Sequence, residues 1–100
     1  MDKAEVIELV RIYKKLLKKH FGPVDVYLFG SYANNSFKND SDIDVAVVFE
    51  NIEGDFFDIN PVLWRLRRQV DDRIEPVLIE KDHDESGFLE EIMKTGVAIE

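Results

Sequence analysis

LFGSYANNSFKNDSDIDVAVVF, residues 28–49, decides how the chain is read. Two apolar runs flank a polar stretch. The first run stops at Gly30-Ser31, and the second opens with Asp42 and Asp44 before continuing as Ile, Val and Ala. In a strand, residues i and i+2 share a face, so Asp42 and Asp44 project together, roughly 6.6–6.8 Å apart along the chain. Like charges at that spacing repel, and burial adds a solvation cost. A divalent cation reverses that balance, since carboxylate oxygens are natural Mg²⁺ ligands. Taken alone, DSDID reads equally as a turn or cap before a strand. Asp40, Asp42 and Asp44 also occupy positions 1, 3 and 5 of a calcium loop. That pattern fails at Val45, where Gly is needed, and at Asn51, where Glu is needed.

Gly30-Ser31 supplies a complementary feature. A strand that ends in Gly and opens a short helix leaves backbone N–H groups aimed outward, where an anion can sit, and Ser31 adds a hydroxyl. An ordinary strand-to-helix turn would show the same pair of residues. No Gly-x4-Gly-Lys-Ser/Thr loop is present. For Gly30-Ser31 to lie beside Asp42 and Asp44, the first two strands must be antiparallel. A third strand parallel to the second, reached by a helical crossover, would bring Glu75 to the same end. Glu75 also reads as an edge-strand surface charge, with Pro76 marking the edge.

Working outward, residues 2–20 form an amphipathic helix with Val6, Val10, Tyr13 and Leu17 on one stripe, closed by Gly22-Pro23. Strands are expected at Val24–Phe29, Asp42–Glu50 and Arg73–Glu80. Ser31–Ser36 makes a helical turn, and a polar loop runs through Asp40. Asn51–Ile59 is a loop with a turn near GDFF. Asn60-Pro61 has the form of a helix start, Asn as N-cap and Pro at the first position, with the helix running to about Val70. A last helix spans Glu85–Thr95, closed by Gly96. The expected architecture is one α/β domain over residues 1–100, order α-β-α-β-α-β-α, with a small mixed three-stranded sheet.

At 100 residues the chain holds one core. It has no cysteine, which excludes disulfides and thiolate chemistry. Net charge is −8, unevenly spread: residues 1–24 carry six basic against three acidic side chains, residues 25–100 seven against eighteen. Such a chain is repelled by the nucleic-acid backbone, so general nucleic-acid binding is not expected. No run approaches the roughly 20 apolar residues that span a bilayer, and no secretory leader opens the chain, which points to the cytoplasm.

Gly30-Ser31, Ala33 and Ser41-Asp42-Ile43-Asp44, with eleven residues from Gly30 to Ser41, resemble the Gly-Ser-x-Ala-x-Gly-x5-Ser-Asp-Ile-Asp signature of the minimal nucleotidyltransferases. These are MntA-like antitoxins of the DNA polymerase beta superfamily. The resemblance implies the nucleotidyltransferase palm fold and Mg²⁺-dependent transfer of a nucleoside monophosphate, with AMP from ATP the first choice, to an acceptor hydroxyl. Gly30 and Ser31 would hold the triphosphate, with Lys38 the best-placed single cation. Asp42 and Asp44 would ligate two Mg²⁺ ions, and Glu75 would take the third-carboxylate position. The partner implied is a small helical HEPN-domain toxin, and self-association into a homo-oligomer is allowed. The alternative is an antitoxin that neutralises its partner by contact alone. The chain departs from the signature at Asn35, where the family often has Gly, at uncharged Tyr32 and Asn34, and at Glu75, where Asp is frequent. Arg65, Arg67 and Arg68 could reach phosphates or a partner, or form a solvated face. Phe56, Phe57 and Phe88 suit a core, although GDFFDI could form an interface, and Trp64 suits the edge of a core or a contact with a partner.

Overall fold

The computed structural model describes residues 1–52, 56–84 and 86–100, with the side chain of Phe56 excluded. The chain opens with α1, Lys3–Phe21. Asp2 caps it by accepting from the Glu5 N–H at 2.8 Å, and Glu5 reaches back to the Asp2 N–H at 3.2 Å. This reciprocal box contributes about 1 kcal/mol to the helix start. Val6, Val10, Tyr13 and Leu17 are fully buried, as their spacing predicts. Gly22 ends the helix at φ 84°, its N–H bonded to the Lys18 carbonyl.

The strands are β1 (Asp25–Phe29), β2 (Ile43–Phe49), β3 (Ile74–Glu80) and β4 (Val97–Ile99), in sheet order β3-β2-β1-β4. β1 and β2 are antiparallel, β2 and β3 parallel, and β4 antiparallel to β1. Central β2 is buried on both faces. Ile43, Val45 and Val47 join the larger core with α1 residues and with Leu63 and Leu66, while Ala46 and Val48 meet Leu89 and Ile92 on the other face. That explains its unbroken apolar run, which is what a strand covered on both sides requires.

Three expectations need correction. The sheet has four strands: Val97–Ile99 pairs with β1 through Val26↔Ile99 and Leu28↔Val97. Three residues are too few to show alternation, so only the packing reveals them. Gly96 makes the junction possible, because a Cβ there would lie 2.7 Å from the Ile92 carbonyl and 2.8 Å from that of Leu28. The middle helix, α3, spans Phe56–Arg67 and carries Pro61 inside it. Asn60-Pro61 is therefore not the start. A Pro ring crowds the carbonyl four residues back, here that of Phe57, a residue 78% exposed, where water can reach the disturbed turn. The last helix, α4, spans Phe88–Thr95, after a short 3₁₀ turn at Lys81–His83. Asp84 accepts from the Leu89 and Glu90 N–H groups at 2.9 and 3.1 Å, doing the work of a cap. Its expected start at Glu85, and the Gly54-Asp55 part of the GDFF turn, lie outside the described residues, as does the role expected of the Phe56 side chain. Phe57 and Phe88 are exposed rather than core. Among the described residues no helix is long and apolar enough to cross a membrane.

Candidate active site

The short helix α2, Ser31–Asn34, follows β1 directly. Gly30 makes the corner at φ 73°, ψ −147°, a backbone region that residues with a Cβ avoid. Its carbonyl accepts from the Ala33 and Asn34 N–H groups, both at 3.1 Å. The leading N–H groups of a helix have no intrahelical partner; here they belong to Ser31 and Tyr32. The turn closes at Asn35 in the left-handed region, φ 64°, the single non-Gly residue with positive φ among those described. Asn tolerates that conformation where the signature prefers Gly.

Register carries the carboxylates to this corner. Phe29 stands opposite Asp44, so Gly30 follows beside it. A Cβ built on Gly30 would fall 2.2 Å from Asp44 Oδ2 and 3.1 Å from its Cγ. The Asp44 carboxylate therefore occupies the space that any other residue at 30 would fill. On the parallel side, Asp44 pairs with Glu75. Asp42 lies one residue before β2, whose ladder begins with the Ile43 N–H donating to the Arg73 carbonyl at 2.8 Å. It is exposed at the strand head rather than within the strand.

The three acids act on one another. Burial, then the charge of Asp42, holds the Asp44 carboxyl above the ordinary carboxylate range. Glu75 is raised as well: loss of solvent leads, followed by the charges of Asp42 and Asp44 and a hydrogen bond with Asp42, against the opposing charge of Arg67. Among the described residues, no three His, Cys, Asp or Glu side chains stand disposed to hold an ion as they are. The donor set still fits a hard divalent cation, whose charge would relieve the mutual repulsion.

Lys38 lies in the exposed loop between α2 and β2. Its N–H donates to Ser41 Oγ at 2.8 Å and its carbonyl accepts from the Ser41 N–H at 3.1 Å. Two basic residues enter the region: Lys3, which the sequence does not point to, and Arg67, one of the three arginines expected to reach phosphates or a partner or to form a solvated face. Lys3 Nζ, from α1, donates to the Ala33 carbonyl at 3.2 Å and Asn35 Oδ1 at 3.4 Å, closing the carbonyl end of α2. Arg67 turns inward while Arg65 and Arg68 stay exposed. Spacing along the chain carries no signal for Lys3, which acts across separate elements. A cavity of about 150 Å³, lined by Asp25, Val48, Glu50 and Lys81 among others, lies at the far end of β1 and β2 and does not meet this chemistry.

A turn against which a carboxylate packs, with two further acids at the heads of adjacent strands, matches a known pattern across most of the chain. Residues 12–100 fit the family described as polymerase beta, nucleotidyltransferase. The chain belongs to that family. It is 40% identical over 48 residues to the protein adenylyltransferase MntA of Thermococcus cleftensis, 48% of each chain. It is 41% identical over 46 residues to a Methanocaldococcus jannaschii protein described as a candidate protein adenylyltransferase, covering 46% of this chain and 54% of that one. The matched stretch spans about half the length of these curated relatives. A crystal structure described as that of a candidate nucleotidyltransferase from Sulfolobus solfataricus superposes with a TM-score of 0.71 at 22% identity, over 96% of this chain and 80% of the other. That likeness is one of fold, and it establishes the mixed α/β nucleotidyltransferase architecture.

Proposed function

We propose that the protein transfers a nucleoside monophosphate, AMP from ATP with release of pyrophosphate, to a hydroxyl on a partner protein, and that the partner is a small helical HEPN-type toxin which this chain restrains as an antitoxin. The carrying observation is the Asp44 carboxylate packed against Gly30 with Glu75 beside it across the β2–β3 ladder. In this family member, Asp42, Asp44 and Glu75 would hold two Mg²⁺ ions. Bound there, the ions would neutralise phosphate oxygens and favour loss of the acceptor hydroxyl's proton. The N–H groups heading α2 and the Ser31 hydroxyl would hold the triphosphate, with Lys38 adding positive charge from its loop. Glu75 and Asp42 would orient the acceptor side of the site, while Asp44, fixed by Gly30, would serve both sides. ATP as the donor supports the cytoplasm as the compartment of the proposed reaction. Names of relatives as protein adenylyltransferases support AMP as the group moved.

A second reading is neutralisation by contact. It is favoured by the exposed side chains of Trp64, 37% exposed, and Arg65 on α3 and of Arg68 just past its end, and by the uncharged Asn34-Asn35 turn. Intact-mass measurement of a HEPN-type partner after incubation with this chain, ATP and Mg²⁺ separates the two. The transfer reading expects added AMP units that Asp42→Ala or Asp44→Ala abolishes. An unmodified partner that the double variant still neutralises would sink it.

A further inference from the structure

We propose that Arg67 is the positioning residue of the carboxylate site: by gripping the carbonyls at the start of β3, it sets where Glu75 stands against Asp44. The inference rests on the metal-site reading above. Arg67 is the last residue of α3. Its Nη1 donates to the Asp72 carbonyl, and to the Ile74 carbonyl at 3.4 Å. The guanidinium carbon lies 4.8 Å from the centre of the Trp64 ring, which fixes the plane of the group from its own helix. Ile74 is the first residue of β3 and pairs with Ile43; Glu75 is next and pairs with Asp44. The same side chain thus spans the helix end, the turn and the strand head that carries the third acid.

Two features argue against a generic surface role. Arg67 Nε is buried with no partner among the described residues, so the side chain is held in place at the expense of one of its own donors. Nη1 also meets two carbonyls two residues apart while the planar guanidinium lies over the Trp64 ring, a combination that a Lys ammonium does not reproduce.

The sign of the effect tests the idea. Acting through space alone, a cation beside the acids repels a divalent ion, so removing it would tighten binding. Acting through position, its loss lets Glu75 wander and loosens binding. Partners one step beyond a ligand typically contribute roughly 10–100-fold to metal affinity. Mn²⁺ alone, titrated into the full chain by calorimetry, is the probe. Arg67→Met should weaken binding about tenfold, and Arg67→Lys, which keeps the charge but not the planar group over Trp64, about threefold. In a Glu75→Gln background neither should weaken it further, an outcome that a general loosening of the fold would not produce. If Arg67→Met fails to fold by circular dichroism, Arg67→Lys decides by the same comparison. Binding that Asp44→Asn leaves unchanged would overturn the metal site itself. Asp44-dependent binding that the Arg67 variants leave alone, tighten, or weaken equally with and without Glu75 would overturn only the positioning role.

Discussion

Asp71 and Asp44 sit near the same end of the sheet and meet opposite treatment. Asp71 accepts from the Arg73 backbone N–H at 2.8 Å and from its guanidinium at 3.1 and 3.0 Å. Those contacts, the side-chain hydrogen bond first, hold its carboxyl below the ordinary range. Among the described residues Asp44 gains no such donor; burial and Asp42 push it the other way. One acid stabilises the fold by being paired, and the other is kept short of a partner by the fold around it. Such uncompensated perturbation is what the proposed cation site predicts.

The contrast can be broken most severely at Asp44. Asp44→Asn should lower transfer activity by about 10³-fold, in the range seen when a group stabilising transition-state charge is removed. The same variant should raise Tm in metal-free buffer, because a neutral amide ends the repulsion with Asp42. A lower Tm would show that Asp44 is a structural acid like Asp71. Next is Gly30→Ala, which meets both a positive φ and the Asp44 carboxylate at 2.2 Å. About 1–2 kcal/mol of stability should be lost to the backbone conformation alone, with activity down roughly 100-fold as a displacement of about 1 Å at the reacting centre would cause. Denaturant unfolding and initial rates measure the two separately.

Asp71→Ala gives the opposite sign from Asp44→Asn, a stability loss of about 1 kcal/mol at neutral pH for the lost hydrogen bonds. Working out the sign against pH sharpens the comparison. Asp71 is depressed in the folded protein, so its contribution is present above the carboxylate's unfolded pKa and fades as pH falls through the folded value. Asp44 and Glu75 are raised, so they favour the metal-free fold at low pH and cease to do so as pH rises through their folded values. Melting curves of wild type, Asp71→Ala and Asp44→Asn across that acid range should diverge in those directions. Smallest is Lys38→Ala, expected to raise the KM for ATP no more than about threefold, as an exposed and screened charge would.

Legibility followed the range of the interactions. The α1 stripe is local, and Val6, Val10, Tyr13 and Leu17 are buried where the spacing puts them. The candidate site was legible as far as two strand ends and a turn can show it: Gly30, Ser31, Asp42 and Asp44 lie within fifteen consecutive residues. Glu75 needed the parallel crossover, and the register Asp44↔Glu75 supplies it. By contrast, β4 was hidden by its brevity, and Asn60-Pro61 misled because a strong local start signal was overridden by a helix already under way from Phe56.

What the sequence determined by itself is which residues are bound to a turn, a stripe or a strand face, since steric preference and periodicity act between near neighbours. Tertiary structure decided which charges are compensated. Arg67 reaches back onto Asp72 and Ile74, Lys3 crosses thirty residues to Ala33, and Asp44 fills the hollow left by Gly30. Burial and Coulomb forces depend on distance in space and on the loss of water, and the order of residues along the chain records neither.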